Sequence, residues 1–155
     1  GPYLYSRQMV AVRMDSEIQK LKDLTGKMIA VQETSKAEEY FLRSDFEGIP
    51  DVSLVYCFSN MDEVFAALRK NYVEAICGHE SALISFINTA PDEYRLLDES
   101  FLYSALGVAF DIQYDEEFVE ELFKTLGDMM NDGTIAAIVG KYGLDAEKSL
   151  GRGND

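Results

Sequence analysis

A short apolar run that turns at once into a helical pattern constrains the fold of this chain more than any other feature. Residues 28–31 (MIAV) have the length and composition of a buried strand. The run ends in polar residues, and Thr34 or Ser35 can cap the helix that follows, because a hydroxyl accepts hydrogen bonds from the free amides of a first helical turn. Such a junction places those amides at the carboxyl edge of a sheet, where open α/β sheets bind ligands. We therefore expect a small-molecule site at this point.

The same alternation of strand and helix patterns continues along the chain. Apolar or β-branched runs predict strands at residues 9–12, 28–32, 52–58, 73–77, 94–97 and 104–110. Apolar residues at helical spacing predict helices from residue 15, at 35–43, from residue 60, and at 81–87, 115–131 and 135–142. This order predicts an α/β fold with a mainly parallel sheet, and a flavodoxin-like strand order would make the strand at 28–32 central.

The two cysteines of the chain are predicted to be free thiols. Cys57 and Cys77 each stand at the end of an apolar run, where a small buried hydrophobe is the simplest interpretation. If the strands that carry them flank the central strand on opposite sides, the two residues lie roughly 10 Å apart. Since a disulfide needs Cα atoms within about 7 Å of each other, we expect no bridge.

Charge and composition restrict the partners of the protein. Its 155 residues suit one domain, and the net charge of −14 argues against nucleic acid and anionic membranes, which bind basic patches. Such a charge favours cationic ligands or keeps an exported protein soluble. The sequence contains no run of about 18 apolar residues, so it predicts no membrane span.

Several short motifs, taken in order, resemble a known family. They are Pro2-Tyr3-Leu4, residues 8–13 (QMVAVR), 23–27 (DLTGK), Glu63 with Ala67-Leu68, 73–76 (VEAI), 107–110 (GVAF), and 132–134 (DGT) followed by Ile138 and 141–143 (KYG). Each motif alone is weak, but their order and spacing over residues 3–144 are similar to the family 3 extracellular solute-binding proteins. The resemblance implies the type II periplasmic-binding-protein fold, in which two α/β lobes trap a ligand between them.

The resemblance also implies a division of the chain into four parts. Residues 1–14 would be the first crossing between the lobes, 15–100 the second lobe, 101–148 the return crossing with the C-terminal helices of the first lobe, and 149–155 a flexible tail. Most of the first lobe, with the arginine that clamps the ligand carboxylate in this family, would then be absent. The apolar face of the helix at 115–131 would lose its cover, which predicts that these helices fold back differently or that two chains self-associate.

The first group of ligand-binding residues is implied in the turn after the strand at 28–32. In this family that turn supplies amides and a hydroxyl to the ligand carboxylate, which points to Gln32, Thr34, Ser35 and Lys36. The glycine usual in the turn is missing, however, and Glu33 adds like charge. The hydroxyls of Thr34 and Ser35 have a simpler role as helix caps, so ligand contact and capping both stay open.

A second group of binding residues is implied after the strand at 73–77. The family places an aspartate there for the ligand ammonium, and His79 stands at that position, with Glu80 one residue later. A neutral imidazole cannot form that ion pair, and a protonated one would repel an ammonium. A lone histidine at a helix start is more often a cap or an exposed residue. With no second histidine and no suitably spaced acidic pair, we expect no metal, no cofactor and no catalytic residue.

The resemblance implies a truncated, non-catalytic solute-binding protein of an amino-acid ABC transporter. Its ligand would be a small polar amino acid or a related solute, its partner a membrane permease, and its location extracellular or periplasmic, in some cases with a lipid anchor. The alternatives are an extracellular sensor domain of a membrane signalling protein and a half-protein that binds nothing and self-associates. An enzyme of the same fold, of the dehydratase type, would have only His79 and Glu80 as an acid–base pair, and the chain has no P-loop, dinucleotide fingerprint or serine elbow.

Overall fold

A computed structural model describes residues 2–43 and 46–151 of the chain. Within these residues the strands are β1 (Leu4–Arg13), β2 (Met28–Gln32), β3 (Leu54–Phe58), β4 (Ala75–His79) and β5 (Tyr94–Leu106). The helices are α1 (Lys36–Leu42), α2 (Met61–Arg69), α3 (Glu80–Ile87), α4 (Glu116–Asn131), α5 (Thr134–Lys141) and α6 (Ala146–Ser149). In this part of the chain, no helix has both the length and the apolar character needed to span a membrane.

The described residues divide into two compact units. The sheet unit comprises Arg7–Leu102 and contains β2, β3, β4 and helices α1 to α3. The C-terminal unit comprises the described residues before Arg7 and after Leu102, including α4 to α6. The chain passes from one unit to the other within β1 and again within β5.

The strands form one sheet in the order β3-β2-β4-β1-β5. β2 is parallel to both of its neighbours, with Gln32 beside Phe58 on β3 and Ala30 beside Ile76 on β4. β1 is antiparallel to β4 and places Gln8 opposite His79. The predicted α/β class and the central place of β2 between the strands of the two cysteines are therefore confirmed.

The two faces of the parallel strands pack against different helices. Ile29 and Val31 of β2 pack with Tyr40 and Phe41 of α1. Ala30, which points the other way, packs in a second cluster with residues of α2 and α3. Because β2 is covered on both faces, its central residues are fully buried, which explains its unbroken apolar run.

Some predicted elements differ from the structure. The runs at 94–97 and 104–110 do not form two strands: β5 is continuous from Tyr94 to Leu106, and its polar residues Asp98 and Glu99 are exposed on the strand. The helical pattern from residue 15 forms only a 3₁₀ turn at Leu21–Leu24. The three-residue spacing of Ile18 and Leu21 suits a 3₁₀ turn as well as an α-helix, so the pattern alone did not separate the two.

The predicted helix starts of α2 and α4 are confirmed. Asn60 Oδ1 accepts a hydrogen bond from the Glu63 N–H at 3.0 Å. The Glu63 carboxylate in return accepts from the Ser59 N–H at 3.1 Å, one residue before the position expected in a capping box. Asp115 caps α4 through its carboxylate.

The C-terminal unit packs around Ile135, Val139 and Leu150. No residue of α4 is buried, and Phe118 is 58% exposed. The apolar face predicted to lack a cover is therefore only partly covered, since Phe118 is exposed while Leu126 and Met129 pack against that cluster, and self-association through it stays a prediction. The sequence predicts a flexible tail from residue 149, but Ser149 and Leu150 are buried, because the apolar side chain of Leu150 packs in this cluster. Residues 152–155 of the predicted tail lie outside the described residues.

Both cysteines are free thiols, as predicted. Cys77 is buried within β4, but Cys57 is exposed in β3, which lies at the edge of the sheet. The interpretation of Cys57 as a buried hydrophobe is therefore wrong. The edge position of β3, which has no buried residue, is the physical reason.

Candidate functional site

A cavity of about 220 Å³ lies in the sheet unit at the carboxyl ends of β2 and β4. Its polar wall residues are Gln8, Gln32, Ser35, His79 and Ser81. The helices that follow β2 and β3 pack on opposite faces of the sheet, so the boundary between β2 and β4 is a topological switch point. Ligands of open α/β sheets bind in the crevice at such a point. The cavity is therefore where the sequence predicts a small-molecule site.

Part of the predicted ligand-binding set lines this cavity, namely Gln32, Ser35 and His79. The other predicted residues, Thr34, Lys36 and Glu80, are not in its wall. The Lys36 ammonium lies 2.6 Å from the Glu39 carboxylate on the exposed side of α1. The role of each predicted residue in binding stays a prediction.

The turn before α1 is closed by the protein's own hydrogen bonds. Ser35 is the N-cap, and its Oγ accepts from the Glu38 N–H at 3.2 Å, so the capping interpretation is confirmed for Ser35. The Glu38 carboxylate accepts from the Thr34 N–H at 2.7 Å. The Thr34 N–H, which a ligand carboxylate would need, is thus already bonded to the Glu38 carboxylate. This argues against a ligand carboxylate at this turn.

Thr34 adopts an unusual backbone conformation in the same turn. Its φ is 59°, in the left-handed region that β-branched residues rarely enter. The family that the sequence resembles usually has a glycine in this turn, and glycine adopts such a conformation without steric cost. The absence of that glycine is therefore accompanied by backbone strain at Thr34.

Gln8 is a wall residue that sequence reasoning did not single out. It lies in β1, is 1% exposed, and its Nε2 lies 3.0 Å from Nδ1 of His79. The signal in the sequence is a glutamine directly before the apolar run of residues 9–12. Its partner across the strand pair, His79, is the N-cap residue of α3. The side chain of His79 makes no cap but the residue is exposed, which is the second of the two roles expected for a lone histidine at a helix start.

Glu80 is held away from the cavity by an ion pair. Its carboxylate accepts a hydrogen bond from Arg7 Nε at 2.9 Å and a second one from another guanidinium N–H of Arg7. Both side chains are buried. The Glu80 carboxylate is therefore already bound by Arg7 of β1. This argues against the prediction that Glu80 takes the place of the ammonium-binding aspartate of the family.

The surface of the cavity wall is mainly apolar, and its polar groups carry no full charge. Within residues 2–43 and 46–151, no Asp, Glu, Lys or Arg lines it. Partial desolvation lowers the pKa of the exposed His79 below its ordinary value, which favours the neutral imidazole near pH 7. Burial also raises the pKa of the Cys77 thiol, so this wall group is a neutral thiol. The described residues contain no group of His, Cys, Asp and Glu side chains placed to hold a metal ion.

The architecture and the switch-point cavity define the class of protein: an α/β chain with the type II periplasmic-binding-protein fold. An ancestral arginine-binding protein solved with bound glutamine is similar over 92% of this chain, at 26% sequence identity and a TM-score of 0.67. The likeness to amino-acid-binding periplasmic proteins that the sequence predicts is thereby confirmed. No protein-family model and no curated protein sequence matches the chain.

Two further solved structures share the fold at lower identity. A periplasmic binding protein of an arginine transport system from Legionella pneumophila is similar over 91% of this chain, at 20% identity and a TM-score of 0.66. The GluR0 ligand-binding core from Nostoc punctiforme, solved with L-glutamate, is similar over 91%, at 18% identity and a TM-score of 0.69. This chain spans 61%, 63% and 62% of the lengths of the three solved proteins, in the order given.

Proposed function

We propose that the protein is a non-catalytic binding module for a small polar amino acid or a related solute, and that its sheet unit contributes one side of the ligand site. The observation that carries the proposal is the cavity at the carboxyl ends of β2 and β4, with side chains from β1, β2 and α3 converging on it. Pockets for drug-sized ligands are larger, about 300–1,000 Å³, so this one suits a small solute or one group of it.

The contacts of His79 and Glu80 support binding over catalysis. An acid–base pair has to present both groups to one substrate. The His79 ring contacts Gln8 at the cavity, whereas the Glu80 carboxylate is buried against Arg7. His79 and Glu80, the acid–base pair that the enzyme alternative would need, therefore do not face the same cavity.

Transport is the role that we propose for this binding. The similar solved proteins include the substrate-binding protein of an amino-acid ABC transporter, which supports a membrane permease as partner and an extracellular or periplasmic location. A sensor domain outside a membrane signalling protein is the second candidate, favoured by the fold likeness to the GluR0 ligand-binding core. An adjacent permease gene would favour transport, and a membrane-spanning helix in the same reading frame would favour the sensor.

Ligand-observed saturation-transfer NMR tests the binding function, because it detects weak complexes. The chain is mixed in turn with L-arginine, L-glutamine and L-glutamate, and we expect signal transfer to at least one of them. A Ser81→Phe variant should abolish the transfer by filling the cavity from α3. Ser85→Phe is the matched control, since Ser85 is exposed on the same helix outside the cavity wall, and it should bind as the parent does. Equal transfer in both variants would disprove the site.

A further inference from the structure

The surface that the cavity offers to a ligand is mainly apolar. Met61 of α2 and Ala82 of α3 both line the cavity, and both are only half-buried, so they present apolar atoms to its interior. Gln8 and Cys77 also belong to the wall, but both are buried and offer a ligand almost no accessible surface. The accessible side chains therefore decide what the cavity can bind.

The position of the Met61 side chain depends on a glycine in β4. A Cβ atom at position 78 would lie 3.3 Å from the Met61 Cε, which is tighter than an ordinary van der Waals contact. Gly78 thus allows the thioether to pack directly against the strand. Because a methionine side chain is flexible and polarisable, it adapts readily to an apolar group placed beside it.

The polar side chains of the wall favour no charged ligand group. Ser35 Oγ already accepts from the Glu38 N–H at 3.2 Å, and Gln32 Nε2 lies 3.5 Å from the Ser59 carbonyl oxygen. Among the described residues, no Asp, Glu, Lys or Arg lines the cavity. An ammonium, guanidinium or carboxylate inside it would be desolvated without an opposite charge, whereas an apolar group gains from leaving water.

We propose that the cavity selects an uncharged, mainly apolar side chain of the ligand, of the aliphatic or thioether class. The proposal rests on the binding function proposed above and names the ligand group that enters the cavity. The ammonium and carboxylate of an amino acid would stay outside, because the wall has no charge to pair with either of them. The volume of about 220 Å³ is below that of pockets for drug-sized ligands, which suits a single side chain.

Protein-observed NMR titrations with L-methionine, L-glutamine and L-glutamate test this preference, since their side chains have similar lengths and differ in polarity and charge. We expect the parent chain to bind L-methionine about tenfold more tightly than L-glutamine, and L-glutamate most weakly, because burial of polar and charged groups is costly. Met61→Gln keeps the length and the helix propensity of the side chain but places an amide in the wall. It should weaken L-methionine binding about fivefold and change L-glutamine binding less than about twofold.

The controls separate this preference from the binding function itself. Met14→Gln changes a methionine of the sheet unit that is exposed and lies outside this cavity wall, and it should leave all three affinities unchanged. Binding of L-glutamine or L-glutamate as tight as that of L-methionine, or an equal loss for L-methionine in Met61→Gln and Met14→Gln, would overturn the apolar preference and leave the binding function standing. Failure of these three ligands and L-arginine alike to bind would overturn both.

Discussion

Arg7 and Glu80 form a buried ion pair that joins β1 to the first residue of α3. Two guanidinium N–H groups of Arg7 donate to the two carboxylate oxygens of Glu80. Their side chains are only 7% and 8% exposed, so neither charge can be rehydrated in place if its partner is removed. The pair therefore fixes the strand that carries Gln8 relative to the helix that follows His79.

Removing one member of this pair should be strongly destabilising. We expect Arg7→Met or Glu80→Gln to lower the free energy of unfolding by about 3–5 kcal/mol, because each leaves a buried charge or polar group unpaired. The double variant Arg7→Met, Glu80→Leu should recover most of the loss, since apolar residues can replace a buried pair. Urea unfolding followed by circular dichroism measures the free energy of unfolding of each variant.

An exposed ion pair provides the comparison. Lys27 and Glu74 lie 3.4 Å apart with side chains 40% and 41% exposed, so Lys27→Met should change the free energy of unfolding by less than about 0.5 kcal/mol. Similar losses in Lys27→Met and Arg7→Met would show that burial of the Arg7–Glu80 pair is not decisive.

The backbone strain at Thr34 predicts an unusual glycine substitution. Thr34→Gly should leave the free energy of unfolding unchanged or raise it by up to about 1 kcal/mol, because relief of the left-handed strain outweighs the added freedom of the unfolded chain. Thr25 has a φ of −54°, so Thr25→Gly should instead lower the free energy of unfolding by about 1 kcal/mol. Equal destabilisation by the two changes, measured by thermal or urea unfolding, would argue against strain at Thr34.

The environment of His79 predicts how stability depends on pH. Because partial desolvation lowers the pKa of His79 in the folded protein, the unfolded chain takes up a proton first as the pH falls. The contribution of this group to stability is complete above pH 6.5 and declines as the pH falls from 6.5 through the folded pKa. Since the chain contains one histidine, its imidazole resonances can be followed directly by NMR. A titration midpoint at or above 6.5 would contradict partial burial of this ring.

The two thiols should react differently in the folded protein. Although Cys57 is exposed, partial desolvation, a hydrogen bond with Glu38 and the nearby negative charges raise the pKa of its thiol to about 11, so roughly 0.1% of the thiol is ionised at pH 8. We expect slow labelling of Cys57 by iodoacetamide, no labelling of the buried Cys77, and rapid labelling of both in urea. Cys57→Ser should abolish native labelling. Fast labelling of the native parent, or labelling that survives Cys57→Ser, would contradict these environments.

Local sequence patterns predicted most of the sheet unit. β2 has the predicted bounds, and Ser35, Asn60 and Asp115 cap the helices they were expected to cap. These features depend on short-range rules for capping and apolar periodicity. The continuous β5 was not predicted, because Asp98 and Glu99 interrupt its apolar pattern and their exposure depends on the neighbouring structure.

Only the part of the candidate site that depends on local sequence was predicted, because the rest depends on contacts between distant residues. Gln32 and Ser35 follow the β2 strand directly, so their place at the carboxyl edge follows from the local pattern. The contacts of Gln8 with His79 and of Arg7 with Glu80 join residues 71 and 73 positions apart. They depend on β1 lying antiparallel to β4, a pairing that no local pattern in the sequence indicates.

Mapping of bound L-glutamine by ¹H–¹⁵N NMR is the sharpest test of a ligand site in this cavity. We expect concentration-dependent shift changes in the Gln8 side-chain amide and in the backbone amides of Gln32, Ser35, Gly78 and His79, around the cavity. We expect little change in α4 and α5, which belong to the C-terminal unit. An absence of shift changes, or changes confined to residues 103–151, would contradict a ligand site at the carboxyl ends of β2 and β4.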